Sequence, residues 1–158
     1  MKITPLLFET YISIIKNSVG SKIFQTNVAK VGGKTKDITE RGNLSCGFFV
    51  TFILKYFDLV KKPHVTVPGT LRDMEESGWG KIKKPRVGCL ILWEPLRVPP
   101  GKDAHQHLGF YLGGTKAISN SSSKRVPIMH HWTFGTKDGK AKRKIEGFYW
   151  HKKLDIRN

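Results

Sequence analysis

The sequence predicts an α+β domain in which helices come first and an antiparallel sheet follows. Three observations carry this. Before about residue 85 the apolar residues recur at helical spacing, as in Leu7, Tyr11, Ile14 and Ile15. From about residue 85 the apolar runs become short and β-rich, as in "VGCLILW" at 87–93. Between them and the C-terminus, "HQHLGFYLGGTKAISN" alternates on both sides of Gly113-Gly114, a strong hairpin signal.

The elements follow in order. "MKITPLLFETYISIIKNSVG" reads as an amphipathic helix, with Thr4 to cap it, Pro5 in its first turn and Gly20 to end it. Residues 21–44 are mixed and polar and read as loop with a short strand. A second helix is expected over roughly 45–59, ended by "KKPH". Phe48, Phe49, Val50, Phe52, Ile53, Leu54 and Phe57 make it apolar nearly all round, as befits a helix buried in mid-domain. "VPGTLRDMEESGW" gives a third helix, with Leu71 and Met74 inward and Gly78 as its stop. After the strand at 87–93, "EPLRVPPGKDA" is a Pro/Gly loop. "VPIMHHWTF" and "IEGFYWHKK" are two further strands, joined by the basic turn "GTKDGKAKRK". The sheet is expected to be a meander packed on the buried helix.

The 158 residues suit one domain, 1–158, with one core, and no boundary or repeat interrupts them. Lys and Arg number 28 against 12 Asp and Glu, a net charge of +16, which attracts polyanions such as nucleic acid, anionic lipid or cell-wall polymer. Two cysteines, Cys46 and Cys89, are too few for a disulfide framework. The N-terminal stretch is interrupted by Glu9, Thr10, Ser13 and Lys16, unlike a signal peptide. No segment is apolar enough to span a bilayer. The chain is therefore expected to be cytoplasmic as synthesised and monomeric, with any delivery to a cell wall by another route.

Cys46 stands where the second helix starts. A helix N-terminus and a nearby imidazole both favour the thiolate, and unpaired N–H groups there can hold an oxyanion. Of six histidines, His107 has the best placement. On a strand it shares a face with His105, Gly109 and Tyr111, and Gly109 leaves a gap through which a helix end could approach. The third, orienting group depends on hairpin register. A two-residue turn puts Asn120 on the His107 face; a three-residue loop puts Ser119 there. Two-residue turns are commoner, so Asn120 is preferred and Ser119 is the alternative.

Three motifs in order, "SCGFFV" at 45–50, "PRVGCLILW" at 85–93 and "HLGFYLGG" at 107–114, resemble those of the NlpC-like papain-fold cysteine peptidases. The resemblance covers about residues 40–120 and implies a papain-like fold with a catalytic core over about 40–135. It implies Cys46 as nucleophile, His107 as its base and a third polar residue in the Ser119-Asn120 region. It further implies a hydrolase of amide or peptide bonds, acting on peptides such as those of peptidoglycan, with no cofactor. The family commonly has His twelve positions after the first; here that position is Ser119.

Other readings compete. Cys89, inside an apolar strand, reads as core. His130 and His131 are adjacent, so at most one faces the site, and both read mainly as structure. "HQH", with His130 or His131 and Cys46, could form a zinc site, but no Asp or Glu stands near to act as base. A catalytically inactive basic module binding an anionic polymer is the alternative function. Its phosphate and base contacts would come from "KDGKAKRK", Tyr149 and Trp150.

Overall fold

The computed structural model describes residues 1–96 and 103–155. It is an α+β domain. The helices are α1 (Leu7–Asn17), α2 (Cys46–Tyr56) and α3 (Val67–Glu76). A hairpin of β1 (Val28–Val31) and β2 (Lys34–Asp37) precedes α2. The later strands are β3 (Trp79–Ile82), β4 (Leu90–Leu96), β5 (His105–Tyr111), β6 (Lys116–Ser121), β7 (Val126–His131), β8 (Thr136–Lys137), β9 (Lys140–Ala141) and β10 (Ile145–His151). The main sheet has the order β3-β10-β4-β5-β6-β7, all antiparallel.

The expected meander exists for β4 to β7 alone. β10 returns across the domain and inserts between β3 and β4, a long-range pairing that local pattern does not encode. β3 was not expected: Gly80 and Lys81 break its apolar pattern. The Pro/Gly loop expected at 94–104 begins instead as the end of β4, and 97–102 lie outside the described residues.

α1 begins later than expected. Leu6 is its N-cap and no side chain caps it, so Thr4 has no such role; Thr10 Oγ1 donates back to Leu6 O. Phe8, Tyr11 and Ile15 are its buried stripe, with Leu7 and Ile14 only partly covered. α2 is buried along Gly47–Thr51, Ile53 and Leu54, while Phe52 and Tyr56 reach solvent. Phe49 meets Phe110 of β5 edge-on, with ring centroids 5.5 Å apart, and Tyr11 meets Phe110 at 6.0 Å. These contacts dock α1 and α2 on one sheet face, with Leu90, Leu108 and Ile118 fully covered. Trp93 and Tyr111 are buried too, and Trp132, Phe134 and Phe148 pack around them. Among the described residues, no helix is long and apolar enough to cross a membrane.

Candidate active site

Cys46 is the first residue of α2 and is partly buried. A serine before a helix usually caps it by accepting from an N–H of the first turn. Ser45 does not; its hydroxyl donates to Phe24 O at 2.7 Å. The first-turn N–H groups of α2 thus lack a side-chain cap, and no acidic residue offsets them. Gly47 lets the helix start press on the loop that joins α2 to α3, because a Cβ there would stand 2.6 Å from Val65 O.

That loop is itself anchored. The Asp73 carboxylate of α3 accepts from Lys61 N (2.9 Å) and Lys62 N (3.2 Å), and pairs with His64 Nε2 at 2.7 Å. Thr51 Oγ1 then accepts from His64 N at 2.8 Å and donates to Gly47 O. Asp73 therefore fixes where α2 begins.

His107 lies on β5 opposite Trp93 of β4. β5 and β6 pair as Phe110 with Ile118 and Tyr111 with Ala117, and Leu112 N donates to Lys116 O. The loop is thus Gly113, Gly114 and Thr115, with three residues rather than two. Gly113 and Gly114 both have positive φ, 93° and 56°, which glycine adopts without strain. The extra residue flips the register parity. Ser119, not Asn120, comes to the His107 face, and its Oγ lies 2.8 Å from His107 Nε2. Asn120 is buried on the other face and donates from Nδ2 to Gly42 O at 2.8 Å. It ties down the segment that leads into Cys46 and does not touch the imidazole.

The gap at Gly109 is also used differently from expectation. A Cβ there would lie 2.7 Å from Ser119 Cβ, 2.5 Å from Ile118 O and 3.0 Å from the Trp93 ring. Ser119 and Trp93 stand nearest in that space, and the helix start meets β5 at the neighbouring Leu108.

Ser119 Oγ touches a second imidazole, His130 Nε2 of β7, also at 2.8 Å. The proton positions in this chain follow from its far end. His130 Nδ1 lies 2.8 Å from His131 O, and a carbonyl only accepts, so Nδ1 carries the proton. Burial, with the charges of His131 and Arg143, pushes the His130 pKa down against the opposing carbonyl contact, so the ring is neutral. Its Nε2 is then an acceptor, and the Ser119 hydroxyl donates to it. Ser119 Oγ has one proton, so it must accept from His107 Nε2–H. Burial, then the positive charge of Arg143, pushes His107 down to about 3. His107 is therefore a neutral imidazole with Nε2 protonated and Nδ1 free as a base.

Aromatic rings hold these imidazoles still. Phe134 stacks on His130 with centroids 4.1 Å apart, and Trp93 lies 5.5 Å from His107 and 5.6 Å from His130. Trp93 is fixed in turn by Nε1–H donation to Trp132 O at 2.7 Å.

The environments of Cys46 and His107 overlap. Burial pushes the Cys46 thiol up, while the N–H groups of Gly47, Leu108 and Cys46 itself, and the charge of Arg143, favour the thiolate. Leu108 is the next residue after His107, and the Arg143 charge acts on both groups. No hydrogen bond joins Cys46 Sγ to His107. With the thiol pushed up and the imidazole pushed down, the resting pair is neutral. Sequence reasoning expected a thiolate from the helix start; desolvation outweighs that end-of-helix field.

Arg143 is the site residue not expected from the sequence, and His130 was weighed there but read mainly as structure. Arg143 lay in a run of lysines that resembled a solvated turn. His130 had a usable signal, since its face follows from strand parity once the β6–β7 register is known. Cys89 is fully buried, its thiol raised to about 11 by burial, and both cysteines are free. Among the described residues, no cluster of three or more His, Cys, Asp or Glu side chains could hold a metal ion. A surface recess of about 510 Å³ runs along Lys81–Lys83 and Ile145–Phe148; it contains no nucleophile and shares no residue with this site.

No protein-family model matches the chain, and no curated protein matches its sequence.

Proposed function

We propose that the chain is a cysteine hydrolase of amide or peptide bonds, built as a divergent papain-like domain of the NlpC type. The observation that carries the reading is the directed chain His131 O, His130, Ser119, His107. It leaves the free Nδ1 of His107 as base in the surroundings it shares with a cysteine at an uncapped helix N-terminus. A buried polar chain that fixes every proton and leaves one ring nitrogen open is costly to build for packing alone.

The chemistry runs from a neutral pair. His107 Nδ1 takes the Cys46 proton as the sulfur attacks the substrate carbonyl carbon. The C–N bond is intact at this stage, and the carbonyl oxygen takes the charge, facing first-turn N–H groups of α2. His107 then returns the proton to the nitrogen, the C–N bond breaks and an amine leaves. Water, deprotonated by His107 Nδ1, attacks the thioester carbon; the C–S bond breaks to give an acid, and His107 returns the proton to the sulfur, restoring the thiol. Ser119 takes the orienting place expected of Asn120.

The test is amine release from a panel of peptidoglycan stem peptides. Wild type is expected to release amine and Cys46→Ala none. Equal release by both would remove Cys46 from the reaction. Tight binding of an anionic polymer, with no turnover of any peptide, would favour the basic-module reading instead.

A further inference from the structure

Arg143 is held in an unusual way. Its Nε donates to Glu94 O and its Nη2 to His105 O, both at 3.0 Å. Its Cζ stands 5.7 Å from the Phe134 ring centroid, and that ring lies 6.0 Å from His107. Among the described residues no carboxylate comes within ion-pair distance of it: the four ion pairs there are Lys55–Asp58, Lys61–Glu76, His64–Asp73 and Arg86–Asp155. The Glu94 charge acts on Arg143 from a distance without forming an ion pair, and its Oε1 accepts from Lys144 N at 2.7 Å.

A half-buried guanidinium has five N–H donors in a fixed fork. Two are used by carbonyls at the ends of β4 and β5, which aim the group and leave three unused. His105 is two residues from His107, so this anchor is about 7 Å along the strand from the base. Carbonyls orient a cation without neutralising it. The remaining fork suits a carboxylate, which it can meet with paired charge-assisted bonds.

We propose that Arg143 is a subsite for a substrate carboxylate close to the carbonyl attacked by Cys46. The substrate class is then an acyl or peptidyl compound bearing a free carboxylate near the scissile amide. This deepens the hydrolase reading and rests on it. Arg143 also favours the Cys46 thiolate, so a test must separate recognition from thiol activation.

Two alkylating probes do so. Iodoacetate and iodoacetamide form the same S–C bond and expel the same iodide, but one carries a carboxylate and the other an amide. Any change in thiol ionisation alters both rates equally and cancels in their ratio. Rates at Cys46 are read by mass spectrometry, with free glutathione as the reference thiol. In wild type the iodoacetate-to-iodoacetamide ratio is expected to exceed that of glutathione. Arg143→Gln should lower it about tenfold, the worth of one charge-assisted bond. Lys144→Gln should leave it unchanged, which excludes the general positive field. A ratio unaltered by Arg143→Gln overturns the subsite. A Cys46 that takes neither probe overturns the hydrolase reading and the subsite with it. Since Arg143 bridges two strands, a wild-type arm stands beside the variants: N-acetylglycine should protect Cys46 from iodoacetamide where N-acetylglycinamide does not. Equal protection by both again overturns the subsite.

Discussion

At the scale of single residues, the site depends on where one hydroxyl proton points. Ser119 can donate to only one of two imidazoles, and the His131 carbonyl decides which. His130 is thus a positioning residue, acting on His107 through Ser119. Protonating His130 would turn its Nε2 into a donor, reverse Ser119, and move the His107 proton to Nδ1, where the base is needed. His130→Phe should scramble the His107 tautomer, seen as loss of a single Nε2–H form in proton–nitrogen NMR spectra, and slow turnover by about tenfold or more. His130→Gln, which can still accept from Ser119, should restore much of both. An unchanged tautomer in His130→Phe would show that Ser119 needs no such partner. The places of Cys46 at a helix start and of His107 on a strand were legible because both are local patterns. The choice between Ser119 and Asn120 was not, because it turns on one residue of loop length that a Gly-Gly-Thr sequence permits either way.

At the scale of elements, the start of α2 is set by α3. Burial opposes ionisation of Asp73, yet the N–H groups of Lys61 and Lys62 and the side chains of His64 and Ser77 hold its pKa down to about 2. The folded value lies below the ordinary carboxylate range, so this stabilisation is full above about pH 5 and is lost as pH falls toward 2. Lowering the pH across that window should cost wild type about 2 kcal/mol more than Asp73→Asn, from urea unfolding at both ends. Equal losses would mean that the carboxylate adds nothing to the fold's acid sensitivity. Helices α1 to α3 were legible in their apolar spacing, within a few residues at their ends. Strands β4 to β7 were legible from short apolar runs and the paired glycines. β3 was hidden by Gly80 and Lys81, and the place of β10 depends on pairing across more than fifty residues of chain.

At the scale of the whole molecule, the net charge of +16 and the site are separable features. Most of the basic residues in 137–144 are exposed, whereas Arg143 alone of that run is drawn into the site's surroundings. Charge composition thus described the surface correctly but could not distinguish a solvated lysine from an aimed guanidinium. The α+β class was legible because the apolar period changes once along the chain. What makes the molecule an agent rather than a scaffold is the claim that His107 activates Cys46. Its most direct measurement is the rate of Cys46 alkylation by iodoacetamide in wild type and in His107→Asn, which keeps a donor for Ser119 but has no base. At about pH 7.5, general-base assistance of modest size makes His107→Asn slower by about a hundredfold, with the fold intact and Cys89 still protected. Equal rates in the two proteins would contradict the account and leave Cys46 a partly buried core thiol that happens to begin a helix.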